Sequence, residues 1–341
     1  MSDTRTAPET VPAAPPPPGL GRRVGAAFLR LREASILAVA IILVVYFYVN
    51  RPDFLDVGNL VTVSHYVAPI AILAVGEVFL LISGEIDLSV GWTYTFAPFV
   101  MYFAVEDYGF PPVLGIVVAL LVSALVGFIN GTVTVRLGVP AFVTTLGMLF
   151  ALEGITLITS GSFPKEIPAS AAGTLQTVLG QQDWSEIIWA GVIVAIFYLV
   201  LTRMRWGLYT FAVGGNLLGA TESGIKVSRV KIGNFMICST LGGITGILEA
   251  FRIDSIDPAA GGETVMFYAV AAAVIGGTAL AGGVGTVLGA FLGAVVLGIL
   301  EDGFNLLGIS ANTYYLILGI AVLVAMIANV YLARLRRTGR I

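Results

Sequence analysis

The sequence predicts an all-α polytopic membrane protein with about ten transmembrane helices. Three observations predict this fold class. Of the 341 residues, 57% are hydrophobic and only 11% are charged, whereas soluble domains carry about 25% charged residues. Apolar segments of about 20 residues, the length that crosses a bilayer, recur along the chain. Lys and Arg residues are concentrated in alternate loops, as expected of loops on the cytoplasmic side of a membrane.

The first element is an N-terminal tail, residues 1–33. The run Pro15–Pro18 cannot form a helix, so we predict a disordered, proline-rich cytoplasmic tail. The apolar run that follows lacks a convincing small-residue cleavage site, and we interpret it as an uncleaved first span. A transmembrane domain is predicted over residues 34–335, followed by a short cytoplasmic tail, residues 336–341.

Ten apolar windows are the candidate spans. The eighth and ninth are separated only by residues 282–285, so one of them is a candidate re-entrant segment. In chain order the windows are residues 34–49, 60–82, 90–105, 113–135, 139–159, 187–202, 231–250, 265–281, 284–300 and 313–332.

The basic residues predict the orientation of these spans. With both termini in the cytoplasm, fifteen of the eighteen Lys and Arg residues lie on the inner side. Only Arg51, Lys165 and Arg252 lie on the outer side. The positive-inside rule therefore favours an even number of spans and cytoplasmic termini, in a plasma (inner) membrane.

Short matching strings suggest that the chain contains two related halves. Asp87 and Asp254 lie in similar strings, Gly127 matches Gly298, and further matches follow at offsets of 167 to 172 residues. With five spans in each half, the two copies would lie upside down relative to each other. We therefore expect two five-helix inverted repeats, an arrangement typical of transporters.

The segment between the second and third spans is the most polar part of the membrane domain. Gly84–Gly91 places Glu85, Asp87 and Ser89 between two apolar runs. Carboxylates at such a position lie at a membrane face, at a broken helix or beside a water-filled cavity. Asp87 and Ser89 could cap the third span, whereas Glu85 is an extra charge that capping does not require.

Three further polar residues lie within predicted spans and are candidates for a translocation path. Glu77 is an intramembrane acid, either buried and neutral or paired with a cation, and such an acid is a functional candidate by default. Asn130 and Asn305 could line a path for a polar solute, or could hydrogen-bond between helices.

The largest inner loop, residues 203–231, is rich in small residues and predicts a short surface helix over about 216–223, with Gly224 at its C-terminal end. Small residues allow a partner to approach closely, so the loop is a candidate docking element. The alternative is an amphipathic helix at the lipid headgroups. The candidate contact residues are Gly215, Asn216, Ala220, Thr221, Ser223 and Gly224.

The sequence gives no support for nucleotide binding, metal binding or catalysis by this chain. Gly219 and Gly224 have the spacing of a phosphate loop, but Ile225 stands where that motif requires lysine. With Cys238 and His65 as the only cysteine and histidine, no metal site or catalytic group is predicted. We expect no cofactor, no nucleic-acid partner and no enzymatic activity in this chain.

These motifs together resemble a known family. The octet 84–91 is similar to the G-G-I-D-L-S-V-G signature of permease subunits of ribose/xylose-type ABC sugar importers, a family that includes branched-chain amino acid permeases. Three more strings agree in order and spacing, and the resemblance covers about residues 34–335. They are Asn130–Gly131 with Leu137–Gly147, Gly214–Asn216 with Ser223–Ile225, and Gly276–Gly283. Glu85 departs from the pattern, because the family usually has glycine there.

The resemblance implies a subunit that forms the path for a sugar, most simply a monosaccharide. It implies three partners: a second permease subunit, an ABC ATPase that engages loop 214–225, and an extracytoplasmic solute-binding protein. Two alternatives remain open at this stage. One is an ABC permease for branched-chain amino acids, nucleosides or a furanose-like signal; the other is a proton-coupled carrier in which Glu77 is the coupling acid.

Overall fold

The computed structural model describes residues 32–337, and all structural statements below refer to that part of the chain. The predicted tails, residues 1–33 and 336–341, lie outside it except for residues 32–33 and 336–337, which belong to helices. "Inner" and "outer" are used below in the sense of the predicted topology.

Ten helices of 14 to 27 residues correspond one to one with the ten predicted spans, and two shorter helices lie in the largest inner loop. In chain order they are α1 (Arg32–Asn50), α2 (Val57–Ile82), α3 (Val90–Glu106), α4 (Pro112–Arg136), α5 (Ala141–Ser160), α6 (Ser185–Arg203), α7 (Arg205–Gly215), α8 (Leu217–Glu222), α9 (Val227–Ile253), α10 (Gly262–Ile275), α11 (Val287–Leu306) and α12 (Ala311–Arg337).

Seven of these helices are long and apolar enough to cross a membrane: α1, α2, α4, α5, α6, α9 and α11. A shorter apolar stretch lies in α12, and α3 has 17 residues. The protein is therefore an all-α, multi-pass membrane protein. α10 has 14 residues and is about 21 Å long at about 1.5 Å per residue, which is less than the hydrocarbon thickness of about 30 Å.

The link between the eighth and ninth spans is longer than the sequence suggested. α10 ends at Ile275 and α11 begins at Val287, so the predicted helical residues 276–281 and 284–286 are not in either helix. Gly277, Gly282 and Gly283 have positive φ angles in this stretch, a conformation that helices do not contain. The glycines that were included in the predicted spans end the helix instead.

Helix α2 forms the centre of the protein. Every residue from Ile70 to Ser83 is buried, and α2 packs against α9, α10, α11 and α6. In contrast, α1, α4 and α5 each expose a broad apolar face. Such exposed apolar surface is expected where a helix contacts lipid, so α2 is enclosed by protein and the outer helices form the lipid boundary.

Helix packing supports the predicted repeat. α4 packs most extensively on α9, and α11 packs most extensively on α2, which are the corresponding pairs of the two halves. A Cβ on Gly127 in α4 would lie 2.4 Å from the carbonyl oxygen of Phe235, and one on Gly298 in α11 would lie 2.5 Å from Val67. The matched glycines therefore occupy matched interfaces.

The two halves also meet where short helices begin. After α2 and after α9 the chain passes through a non-helical segment before starting α3 or α10. A Cβ on Gly91, at the start of α3, would lie only 1.9 Å from the carbonyl oxygen of Gly262, at the start of α10. The N-terminal ends of α3 and α10 are thus in backbone contact.

The outer face carries the only strands among the described residues. Strand β1 (Lys165–Glu166) pairs antiparallel with β2 (Ser255–Ile256). Short turns at Pro52–Leu55, Ala169–Ala171, Thr174–Gln176 and Thr177–Gln181 complete this face.

Candidate functional site

The junction between α2 and α3 is folded into the protein. α2 ends at Ile82, Gly84 turns the chain with a φ of +79°, and α3 begins at Val90. Asp87 and Ser89 are completely buried between these ends. Non-helical backbone at membrane depth is tolerated where protein surrounds it, and here the side chain of Asp87 helps to satisfy it.

Asp87 is the centre of a buried polar cluster. Its Oδ1 accepts hydrogen bonds from the Ser89 backbone N–H at 2.8 Å and from the Ser89 hydroxyl at 2.6 Å. Its Oδ2 accepts from the Ser239 hydroxyl at 3.2 Å. The Asn130 amide lies 3.4 Å from both carboxylate oxygens and donates to Ser89 Oγ at 2.9 Å. The cluster joins the junction to α4 and α9.

The predicted cap of the third span is not formed. Neither Asp87 nor Ser89 accepts a side-chain hydrogen bond from the first turn of α3, and Ser89 has a helical backbone conformation. Asp87 instead bonds the N–H two residues along, the local pattern by which aspartate stabilises a turn. The hydroxyl of Ser89 bridges Asp87 and Asn130, so both residues serve the cluster rather than the helix end.

Glu77 borders the same cluster from one turn inside α2. It is completely buried, and its Oε1 lies 3.6 Å from Cys238 Sγ on α9. Its Oε2 has no hydrogen-bond partner. Among the side chains that the structure describes, no Lys or Arg forms an ion pair with Glu77 or Asp87. The predicted paired form of Glu77 is therefore not observed, and an acid without a countercharge lies at the centre of the protein.

Glu85, the extra charge of the octet, is paired with a cation. Its Oε1 lies 2.5 Å from Lys231 Nζ on α9, and both side chains are largely buried. The pair links the α2–α3 junction to the end of the large inner loop, at the predicted inner side.

A third charged cluster lies at the outer end of α9. Arg252 contacts Glu186 at 3.1 Å and also forms an ion pair with Glu249, one helical turn away. Glu186 lies in the first turn of α6, so the cluster joins the first helix of the second half to its second helix. Its three members are one arginine and two glutamates.

A cavity of about 290 Å³ opens beside this outer cluster. This volume is near the lower end of the range for small-molecule sites, about 300–1,000 Å³. Its lining combines hydroxyl, imidazole and charged groups with aromatic rings, and includes His65, Tyr66, Tyr94, Glu249, Arg252, Tyr268 and Glu301. Groups of these types can orient a small polar solute through hydrogen bonds and ring contacts.

The structure separates the three residues predicted to line a path. Glu77 and Asn130 both border the Asp87 cluster. Asn305 is exposed and donates a hydrogen bond at 3.3 Å to the hydroxyl of Tyr66, which lines the outer cavity. They therefore belong to two places, a buried cluster and an outer cavity.

The predicted loop helix is present as α8. Asn216 precedes it and accepts a hydrogen bond at 2.9 Å from the Gly219 N–H, which is an N-cap. Gly224 follows it with a φ of +79°, as a C-terminal glycine should. Leu217 and Leu218 are 51% and 70% exposed, so α8 presents an apolar tip.

One candidate docking residue, Ala220, faces the interior of the protein instead of the surface. Ala220 is only 4% exposed and packs with Val213 of α7 and Val230 of α9. Gly215, Asn216, Thr221, Ser223 and Gly224 are exposed. Ala220 therefore seats α8 on the membrane domain, and the exposed positions, with the two leucines, form the surface available to a partner.

The loop is tied to the central helix by Asn234, a residue that the sequence analysis did not single out. Its buried amide donates to the Phe79 carbonyl oxygen in α2 at 3.1 Å, and its Oδ1 accepts from Trp206 Nε1 in α7 at 2.9 Å. Ser239 and Lys231, also on α9, were missed as well. The signal in the sequence that could have identified these three residues is the recurrence of polar residues within one predicted span.

Comparison with known proteins identifies the family. Residues 59–326 match a family model described as the permease component of a branched-chain amino acid transport system. The chain belongs to this permease family. The predicted resemblance to the ribose/xylose-type permeases is confirmed by curated relatives that match nearly all of the chain.

Three relatives illustrate the similarity. The xylose/arabinose import permease protein XylH of Sulfolobus acidocaldarius is 36% identical over 90% of this chain and 87% of the relative. The ribose import permease protein RbsC of Escherichia coli K12 is 29% identical, over 91% and 97%. The fructose import permease protein FrcC of Rhizobium meliloti is 28% identical, over 88% and 86%. No solved structure matches the chain at a significant level.

Proposed function

We propose that this permease is the membrane subunit of an ABC importer for a sugar, most simply a monosaccharide. An ATPase subunit docks on α8 and supplies the energy, and a solute-binding protein delivers the sugar at the outer face. A second permease subunit, either identical or related, completes the path. In this proposal both termini are in the cytoplasm and the membrane is the plasma membrane.

The observation that carries the proposal is the construction of α8 and its connection to the core. Helix α8 is capped at both ends, is held against the membrane domain by Ala220 and exposes an apolar tip. In this proposal α8 is a rigid protrusion. Asn234 then links α7, beside that protrusion, to the buried helix α2. A displacement of α8 by a partner would therefore reach the helix around which both halves are packed.

The sugar assignment is supported by the relatives, whose names specify xylose and arabinose, ribose or fructose as imported solutes. The outer cavity is consistent with this class, because hydroxyl and aromatic groups suit a neutral, hydroxyl-rich molecule. We propose that Tyr66, Tyr268, Glu301 and Asn305 border the entrance for solute, and that the Glu77–Asp87–Asn130 cluster stabilises the junction of the two halves.

The docking proposal is tested with two leucines of similar exposure. Leu218→Asp places a charge on the tip of α8, and Leu137→Asp does so at a residue that is 72% exposed in the loop between α4 and α5. We expect Leu218→Asp to abolish co-purification of the ATPase and ATP-dependent uptake of labelled pentose. Leu137→Asp should retain both.

This test and two uptake assays each have a result that would contradict part of the proposal. Equal retention of the ATPase by both variants would show that α8 is not the docking element. Uptake of leucine, rather than pentose, by the wild-type complex would replace the sugar assignment with the amino acid alternative. Uptake by the purified permease alone, driven by a proton gradient, would establish the carrier alternative.

A further inference from the structure

A second and larger cavity lies at the inner face of the protein, on the side of α7 and α9 that faces α4. Its volume is about 860 Å³. Its wall includes Phe128 and Arg136 of α4, Trp206 of α7, and Ile232, Gly233 and Met236 of α9. Neither the outer cavity nor the Asp87 cluster shares a residue with it.

The rim of this cavity is positively charged. Arg136, Lys226 and Arg229 line it, whereas no Asp or Glu does. Among residues 32–337, none of these three cations forms an ion pair, in contrast to Lys231 and Arg252. All three are exposed. Their charge is therefore available to a ligand, and three unpaired cations favour an anionic ligand.

The wall becomes apolar with depth into the membrane. Phe128 precedes Arg136 by eight residues on α4, about 12 Å along a helix axis at about 1.5 Å per residue. Ile232 and Met236 are likewise one to three turns into α9, which begins at Val227. Phe128 is 40% exposed there. Charged groups at the membrane face thus continue into an apolar surface at acyl-chain depth.

Trp206 also lines the cavity, and two contacts hold its ring in place. Its Nε1 donates to Asn234, and its ring packs against Gly233, where an added Cβ would lie 2.3 Å from the ring. Tryptophan is characteristic of the boundary between headgroups and acyl chains. The cavity therefore matches the order of chemical groups in a phospholipid, from headgroup to chain.

We propose that this cavity is a binding site for an anionic phospholipid. Arg136, Lys226 and Arg229 bind the phosphate and headgroup by charge-assisted hydrogen bonds, and one acyl chain lies along Phe128, Ile232 and Met236. An acidic segment of the ATPase could also meet the three cations, but it would leave the apolar wall at membrane depth unoccupied.

The lipid site adjoins α8, the proposed docking element for the ATPase, so a bound lipid would affect how α8 is held. Thr221 of α8 and Ile225, just after α8, are part of its lining. A lipid bound there would contact α8 at Thr221 and would hold it in one position. The lipid site itself does not depend on the sugar assignment.

The experiment is native mass spectrometry of the purified permease titrated with phosphatidylglycerol or phosphatidylcholine. The test variant is Arg136→Gln with Arg229→Gln, and the matched control is Arg203→Gln with Arg205→Gln, two inner-side arginines outside the cavity. We expect wild type and control to retain phosphatidylglycerol in preference to phosphatidylcholine. The test variant should bind phosphatidylglycerol about tenfold more weakly.

Four results would overturn the proposal. The first is an absence of preference for phosphatidylglycerol in the wild type, which requires no variant to fold. The second is equal binding by the test variant and the control. The third is displacement of the lipid by soluble glycerol phosphate at equal concentration, which would assign the site to a free phosphate. Loss of ATPase co-purification with unchanged lipid binding would assign the cations to the ATPase instead.

Discussion

At the scale of single residues, the ion pair between Glu85 and Lys231 is the contact most open to direct test. Both side chains are largely buried, with 13% and 15% exposed. Removal of one partner from such a pair leaves the other charge without compensation and costs about 3–5 kcal/mol in a protein interior. The pair also joins two segments separated by 146 positions.

We therefore predict that Glu85→Gln and Lys231→Gln each destabilise the permease. The double variant should lose less unfolding free energy than the two single variants lose together. A coupling free energy of about 1–3 kcal/mol is expected from a double-mutant cycle. Thermal unfolding of the four proteins in detergent measures it. Additive losses would show that the two side chains do not interact in the membrane.

Glu77 gives a second prediction at this scale. Glu77→Gln preserves the size of the side chain and its contact with Cys238, and removes only the ionisable group. If Glu77 serves packing and the Asp87 cluster, ATP-driven sugar uptake should persist at close to the wild-type rate. Complete loss of uptake in a variant that still assembles with its ATPase would indicate that proton transfer by Glu77 drives transport.

At the scale of helices, the matched glycines Gly127 and Gly298 lie close to the helices that they pack against. Gly127→Ala would place a methyl group against the backbone of Phe235, and Gly298→Ala against Val67. We predict that each substitution destabilises the protein by about 1–3 kcal/mol through overpacking. Thermal unfolding in detergent provides the measurement.

Gly147→Ala on α5 is the control for this prediction, because an added Cβ there has no atom within 4 Å. It should be neutral or slightly stabilising, since alanine favours the helix over glycine by up to about 1 kcal/mol. A similar loss of stability at Gly147 would mean that the close contact of the paired helices does not explain the losses in the other two variants.

The sequence predicted helices more reliably than the segments between them. All ten spans have a corresponding helix, because long apolar runs determine where a helix lies in a membrane. The segment 276–286 was assigned in part to spans, because its apolar residues and glycines together resemble a packed membrane helix. Gly282 and Gly283, which have positive φ angles, lie against residues 82 and 214, and no local pattern in the sequence contains these long-range contacts.

In the candidate site, too, features set by neighbouring residues were predictable and features set by long-range contacts were not. The cap, surface position and C-terminal glycine of α8 were predictable because each depends on residues within a few positions. The inward position of Ala220 was not, since it depends on Val213 and Val230. The sequence indicates Asp87 as a carboxylate between two apolar runs and a candidate cap, but its partners Asn130 and Ser239 lie 43 and 152 positions away.

At the scale of the whole molecule, the predicted topology places ten helices in two inverted halves with both ends on one side. Reporter fusions at the two termini test this topology. We predict that alkaline phosphatase is inactive and green fluorescent protein is fluorescent at both the N-terminus and the C-terminus. Opposite results at the two ends would require an odd number of crossings and would remove the basis of the inverted repeat.

The enclosure of α2 has a consequence for biosynthesis. Glu77 is shielded by α9, which the ribosome makes some 150 residues later. Until then, α2 is surrounded by acyl chains and by the earlier helices, with its acid exposed at a depth where hydration is poor. A nascent chain interrupted before α9 would retain this exposed acid, a defect that membrane proteases could use to recognise unfinished products.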